Sequence, residues 1–198
     1  MSEQKQQLSS EQIESIVQVV QAGDKEQYRL LVIHFQRQIH IYCYHMLGDE
    51  TDAEDAVQEI FINAYRGLEN YRPTISFSSW LYKIAHHQCI NIIKQRQRKQ
   101  GLVAFLKQES KHANLDYSSK LVEEVLAPLS IPDRQLLILK TVEERSFADI
   151  SEIMNISQQN LRKKFERLKK KIQARSKRKG LSYEKQNVLL IDKNVESI

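Results

Sequence analysis

This sequence predicts an all-α fold of two small helical domains joined by a flexible linker, and three observations carry that prediction. Apolar residues recur at helical spacing along most of the 198-residue chain. Five Gly and three Pro are too few for a turn-rich β fold. Between about Gly101 and Tyr117 the periodicity fades into a polar stretch poor in aromatics, which reads as a partly helical linker.

The elements follow in order. Ser10 is the expected N-cap of a first helix whose Ile13, Ile16, Val17 and Val20 share one side, and Gly23-Asp24 ends it. A second helix starts near Lys25, with Tyr28, Leu31, Val32, Phe35, Ile39, Tyr42 and Met46 as its apolar stripe, and stops at Gly48. Thr51 or Asp52 is expected to cap a third, burying Val57, Ile60, Phe61, Ala64, Tyr65 and Leu68 while Asp55, Gln58, Glu59 and Ile62 look outward. The stretch from Asn70 to Ser79 is a loop punctuated by Pro73. Ser78 or Ser79 then caps a fourth helix with Trp80, Leu81, Ile84 and Ala85 inward, running into a basic segment at Lys94–Gly101. Beyond the tether, Leu121, Val122, Val125 and Leu126 restore the pattern, and Pro132 sits in the first turn of a helix using Leu136, Leu137, Leu139 and Lys140. A strand is conceivable only for NVLLI near the C-terminus.

The second half carries the grammar of a helix-turn-helix. Ser146 caps a short helix with Phe147, Ile150, Ile153 and Met154 facing inward. Asn155 takes the tight turn, where left-handed geometry is needed, and Ile156 plugs it. Ser157 caps the next helix, whose buried seam is Leu161, Phe165, Leu168 and Ile172. Gln158, Gln159 and Asn160 occupy its N-terminal tip, where a recognition helix meets base edges, and Arg162, Lys163, Lys164 and Arg167 follow. Eleven basic side chains stand against one acid between Arg162 and Lys179, a face that binds DNA by releasing counterions. This half is expected to bind duplex DNA.

The first half poses a question of charge. The chain has a formal charge of +5, yet six acids and no base fall in the twelve residues from Gly48 to Glu59. The sequence from this acidic helix through FSSWLYKIA to the basic run KQRQRK resembles the extracytoplasmic-function (group 4) class of RNA polymerase sigma factors, of the sigma-70 family. The second half resembles that family's C-terminal DNA-binding domain over Leu121 to Ala174.

The resemblance implies a sigma-2-like bundle over 9–99, a linker at 100–119, a sigma-4-like helix-turn-helix domain over 120–177 and a tail at 178–198 without an assigned role. It implies a factor that binds core RNA polymerase and directs promoter-specific initiation. Asp55, Gln58, Glu59 and Ile62 would form the core-polymerase face. Tyr71, Phe77, Trp80, Lys83, His86, His87, Asn91, Lys94 and Arg96 would read and hold melted −10 DNA, with Trp80 better read as structural. Ser157, Gln158, Gln159, Asn160, Arg162, Lys163, Lys164 and Arg167 would read the −35 duplex. The partners implied are core RNA polymerase and promoter DNA, with an anti-sigma factor left open; no cofactor is implied. His86-His87, Asn91 and Asn155 depart from the residues common in the family, which bears on the bases read and not on the class.

Other readings fare worse. His86 and Cys89, with Cys43 and His45, suggest a metal site, but adjacent histidines point about 100° apart on a helix and a full ligand set is not evident. No glycine-rich phosphate loop, Ser-His-Asp set or HExxH motif is present, so no enzyme is expected. A plain helix-turn-helix regulator with an N-terminal oligomerisation or sensor bundle accounts for the second half alone. No apolar run approaches the roughly 20 residues that cross a bilayer, and the N-terminus lacks a signal peptide's apolar stretch, so a cytoplasmic location with reduced cysteines is expected.

Overall fold

The computed structural model describes residues 8–104, 125–126 and 128–178, with the side chains of all of these except 99–104 and 176–178. Every regular element among them is helical. The chain divides into two compact units, Met1–Cys89 and Ile90–Ile198, the division falling inside one long helix.

In the first unit, α1 (Ser10–Gln21) starts from a capping box. The Gln12 N–H donates to Ser9 Oγ, and the Ser9 N–H donates to Gln12 Oε1 at 2.8 Å. The cap is therefore Ser9 and not Ser10, because a glutamine at the third helical position reaches back only to the residue three before it. A 3-10 turn at Lys25–Gln27 leads into α2 (Tyr28–Leu47), which Gly48 ends in the left-handed conformation at φ 68°. α3 (Glu50–Gly67) is capped by Asp49, whose side chain accepts from the Asp52 N–H, two or three residues earlier than expected. Asp49 is the acid with extended backbone, the geometry a cap needs.

α2 and α3 pack along their length. α2 buries Leu31, Phe35, Ile39, Tyr42, Cys43, Met46 and Leu47, and α3 buries Ala53, Ala56, Ile60, Phe61 and Ala64. Three of the α3 residues are alanines with no exposed surface, so the backbones approach closely at those turns. Tyr65, expected inward, is 37% exposed, its ring lying instead against Tyr28 at 5.0 Å.

After a 3-10 turn at Leu68–Asn70, α4 (Phe77–Ala104) begins at Ser76, whose Oγ accepts from the Ser79 N–H at 3.1 Å. Ser78 and Ser79, the expected caps, lie inside the helix, and Ser79 is buried. α1 fastens this junction. Glu14 accepts from the Tyr71 hydroxyl at 2.9 Å and from the Phe77 N–H at 2.8 Å, while Gln21 donates to the carbonyls of Leu68 and Tyr71. α4 buries Leu81, Tyr82, Ala85 and Cys89, leaving Trp80 and Ile84 half-buried. It remains helical through Gly101–Ala104, the start of the expected linker.

In the second unit, Ser130 caps α5 (Ile131–Leu137), with Pro132 in its first turn. The helix then widens into a π-helical turn at Ile138–Val142. The Thr141 hydroxyl donates to the Leu137 carbonyl at 2.8 Å, and the Glu143 N–H reaches back five residues to Ile138. A side chain competing for a helical carbonyl loosens the ladder in this way. α6 (Phe147–Met154) has a capping box between Ser146 and Asp149 and ends at Asn155, at φ 54°. α7 (Gln158–Arg178) buries Leu161, Phe165, Leu168 and Ile172 against the preceding helices. Leu121, Val122, NVLLI and the tail lie outside the described residues.

Glu14 joins α1 both to the loop, at Tyr71, and to the start of α4, at Phe77. Glu14→Ala is expected to cost about 2 kcal/mol or more, since a hydrogen bond to a charged acceptor contributes roughly 1.5–3 kcal/mol and Glu14, half-buried, accepts from two groups. Urea unfolding followed by tryptophan fluorescence at Trp80 measures it, and a change within experimental error would refute the anchoring role.

Candidate nucleic-acid and protein interfaces

The acidic helix presents a continuous outward strip. Asp55, Gln58, Glu59 and Ile62 are all exposed, at spacings that stack them along one side of α3. Ile62 is 42% exposed, and Tyr65, one turn on, extends the strip with an aromatic ring. Sequence periodicity placed Tyr65 inside; its hydroxyl-bearing ring at the edge of the apolar stripe was the available signal for the opposite. Between Glu50 and Gly67 five acids face a single base, Arg66. Where α2 meets the first turn of α3, His40, Glu50 and Glu54 bring ligand atoms within 4.8 Å of one another, and His40 Nε2 stands 3.2 Å from Glu50 Oε1. Both glutamates are exposed, and His40 is half-buried.

The loop and α4 revise the expected set of strand-reading rings. Tyr71 and Phe77 are 3% and 1% exposed, so neither ring is available to stack on a base. Both belong to a cluster in which Phe77 meets Phe35 at 5.7 Å and Trp80 at 5.5 Å, and Tyr71 meets Trp80 at 5.1 Å. The Tyr71 hydroxyl is held by Glu14 and by the Ile75 carbonyl. Residues at helical spacing around a loop are drawn into the nearest core, which the local sequence does not reveal. Trp80 is half-buried, in keeping with its structural reading, and its ring lies so close to Gly67 that a Cβ there would meet it at 3.3 Å. The loop thus has an anchored back and an open edge formed by Arg72, Pro73, Thr74 and Ser76.

Along α4, Lys83 and His86 are half-buried and His87 is exposed; further along, Asn91 and Lys94 are exposed and Arg96 is half-buried. The Tyr42 hydroxyl lies 3.4 Å from His86 Nδ1. Burial first, and the neighbouring His87 second, pull the His86 pKa from 6.5 down to about 4. His86 is therefore a neutral imidazole at physiological pH, a hydrogen-bonding group and not a counter-charge for phosphate. Burial also lowers the pKa of His45.

In the second unit Ser157 accepts from the Asn160 N–H at 3.4 Å, which starts α7. Gln158, Gln159, Asn160, Arg162, Lys163 and Arg167 are exposed. Arg162 stacks its guanidinium over the Phe147 ring at 4.8 Å, which limits its rotamers and presents it beside the tip. Lys164 departs from expectation. It is half-buried and pairs with Asp133 of α5 at 2.6 Å, so it ties two helices together instead of standing free for DNA. For Asp133, burial raises the pKa, but hydrogen bonds from Lys164 and Ser130 and the charges of Lys164 and Lys171 outweigh it, leaving the net shift downward. Asp133 gave no motif signal, because an ion pair across helices far apart in sequence is visible only once they pack.

An exposed acidic strip in one helical unit and a basic helix-turn-helix in the other are the features of a DNA-binding protein. Comparison with known proteins makes this specific. Sigma-70 region 2 matches residues 31–99, and Sigma-70, region 4 matches residues 119–172. The RNA polymerase sigma-H factor of Pseudomonas aeruginosa is 31% identical over 163 residues, 74% of this chain and 84% of that protein. The ECF RNA polymerase sigma factor SigW of Bacillus subtilis is 29% identical over 163 residues, 73% and 86% of the two chains. The ECF RNA polymerase sigma-E factor of Escherichia coli K12 is 30% identical over 156 residues, 71% and 81%. In fold, the chain is similar to CnrH in complex with the cytosolic domain of CnrY, with a TM-score of 0.65 at 18% identity, covering 80% of this chain and 93% of that one. It is also similar to the sigma factor RpoE from Bartonella quintana in complex with the anti-sigma factor NepR, with a TM-score of 0.62 at 16% identity, covering 84% and 99%.

The chain belongs to the extracytoplasmic-function sigma factors of the sigma-70 family. Its function is the family's: promoter-directed initiation of transcription by RNA polymerase, a family that is not enzymatic.

Between pH 6.5 and about 4 the unfolded chain takes up a proton that the folded His86 refuses, so stability falls as pH drops through that window. His86→Gln should flatten this stretch of the stability–pH curve measured by urea unfolding, and an unchanged slope would remove His86 as its source. In the second unit, Lys163→Ala with Arg167→Ala should lower the salt slope of duplex binding by about two, roughly one per phosphate contact. Lys164→Ala should leave that slope intact and instead remove the stability that the Asp133 pair supplies above its ordinary pKa of 3.8 and loses as pH falls. Salt-dependent anisotropy and pH-dependent melting separate the two effects; equal loss of salt slope in both variants would return Lys164 to the DNA face.

Proposed function

We propose that the two units divide the work of a sigma factor residue by residue. The region over 9–99 docks on core polymerase through Asp55, Gln58, Glu59 and Ile62, with Tyr65 at the edge, and holds melted −10 DNA with the open edge of the 70–77 loop and with Lys83, His86, His87, Asn91, Lys94 and Arg96. Tyr71, Phe77 and Trp80 frame that loop from behind. The region over 120–177 reads −35 duplex with Ser157, Gln158, Gln159, Asn160, Arg162, Lys163 and Arg167, and the linker at 100–119 sets the distance between the two reading heads. The tail at 178–198 is left without a role.

The observation that carries this reading is the exposed strip on α3. An otherwise basic chain keeps four stacked residues with two acids and an isoleucine in solvent, a composition suited to a basic protein surface with an apolar centre. Acidic charge there steers the factor towards protein and away from the DNA that the rest of the molecule engages.

The polymerase supplies the chemistry of RNA synthesis, and this chain contributes binding and positioning without catalysis of its own. Because core polymerase and promoter DNA are its partners, its place of work is the cytoplasm. Two proteins of similar fold were solved with bound partners, one of them an anti-sigma factor, and we extend to this chain the expectation of such a regulator. No helix among the described residues is long and apolar enough to cross a membrane.

The test is charge reversal read against two ligands. Asp55→Lys with Glu59→Lys should weaken binding to sigma-free core polymerase by about tenfold or more, about 1.4 kcal/mol per decade, while duplex binding by the same protein survives. Reconstituted transcription on fragmented genomic DNA should give discrete starts with the parent protein and few with the variant. Equal loss of core and duplex binding would mean unfolding, and full retention of core binding would sink the assignment of the strip.

A further inference from the structure

Neither cysteine has a part in docking or DNA reading. Cys43 lies on α2 and Cys89 on α4, 46 positions apart in sequence, yet their sulfurs face each other at 3.8 Å. Both side chains are fully buried and neither is in a disulfide. A single buried thiol behaves as a small apolar residue, but two in contact form a chemical pair, since each is the resolving partner for an oxidised form of the other.

We propose that Cys43 and Cys89 form an oxidisable dithiol, a modification site whose co-substrate is a hydroperoxide. One thiol, as its thiolate, attacks the terminal peroxide oxygen; the O–O bond breaks, a sulfenic acid forms and the alkoxide leaves as the alcohol after taking the released proton. The second thiol attacks the sulfenic sulfur; the S–S bond forms, and the displaced hydroxide leaves as water with the second proton. Two thiols and one hydroperoxide thus give one disulfide, one alcohol and one water, the two sulfurs supplying the two electrons that reduce the peroxide. A disulfide needs its sulfurs about 2.05 Å apart. From 3.8 Å, each sulfur has to move by only about 1 Å, a side-chain adjustment in scale.

Burial shapes the kinetics. With both thiols closed to solvent, the peroxide enters only when the α2–α4 contact opens, so the reaction is slow compared with a surface thiol, and the large thiol reagents of the cell are excluded. Once formed, the bond clamps α2 to the middle of α4. Tyr42, beside Cys43, rests its ring on Tyr82 at 5.3 Å and its hydroxyl near His86, one helical turn before Cys89. The clamp therefore acts on the turn that carries His86 and His87. Its consequence for promoter opening rests on the proposed role of that turn; the sulfur chemistry does not.

The experiment uses the full-length reduced protein and hydrogen peroxide at neutral pH, followed by denaturation, alkylation and intact mass measurement. The expected result is a monomer lighter by about 2 Da that no longer alkylates, restored by dithiothreitol, with one proteolytic fragment joining the Cys43 and Cys89 peptides. Cys43→Ser and Cys89→Ala, each checked for a native melting transition, should lose that 2 Da change. Persistence of both thiols as alkylatable groups until unfolding, or oxidation only as intermolecular dimers or a single sulfinic acid, would overturn the proposal. In parallel, oxidised and reduced protein are compared for open-complex formation with core polymerase. Reduced opening that falls on oxidation and recovers with dithiothreitol supports the clamp. Unchanged opening by a verified disulfide form overturns it, and failure of the reduced protein to open any promoter counts against the functional reading instead.

Discussion

The close packing of α2 against α3 is the constraint on which the first unit depends. The seam brings together the large buried side chains of α2 and alanines of α3 that have no exposed surface, while α2 turns its Phe35, Tyr42 and Cys43 towards α4 as well. α3 has one apolar side, which is buried chiefly against α2, and the residues on the opposite side are exposed. Asp55, Gln58, Glu59 and Ile62 are outward for this reason, before any partner is considered. The exposed strip is thus a by-product of core packing, and its composition is what suits it to the docking role proposed for it. Ile62 in particular leaves an aliphatic side chain 42% exposed within that strip.

A second layer of order comes from polar groups that fix loops from within. Glu14 and Gln21 on α1 spend their hydrogen bonds on backbone atoms and a hydroxyl near the start of α4, which leaves the 70–77 loop rigid at its back and open at its edge. The ring cluster of Phe35, Tyr71, Phe77 and Trp80 fills the space behind it. A loop held in this way can present backbone and small polar side chains to an extruded base without first being ordered, which spares the entropy that a mobile loop would lose on binding. The same economy recurs in the second unit, where Lys164 and Asp133 join α7 to α5 and Phe147 seats Arg162 beside the helix tip. In both places a residue that looks like a ligand-binding group in the sequence holds the frame on which the binding groups stand.

Charge is segregated on the same principle. The acids gather where backbone N–H groups at the start of α3 favour them, and the bases gather on the exposed side of α7 opposite its apolar seam. A polyanion and a basic protein surface are thereby sent to different parts of one small molecule. Two histidines fit neither group: burial lowers the pKa of both His45 and His86, and that of His86 to about 4, so His86 carries no charge at physiological pH.

The sequence by itself determined the helical class, the helix-turn-helix with its Ser146 and Ser157 caps and its Asn155 turn, the buried seam of α7 and the outward strip of α3. Each of these is a local property: a cap, a turn and a periodic stripe are set by residues within one or two helical turns. What only the tertiary structure decided was how residues distant in sequence share space. It drew Tyr71 and Phe77 from an expected DNA face into the core, turned Tyr65 outward, bound Lys164 to Asp133 and placed Cys43 against Cys89. Periodicity tells which side of a helix is apolar, but at the margins of a stripe the choice between core and surface belongs to whatever helix lies opposite. That partner is chosen by packing across tens of residues, for which one helix's pattern carries no record.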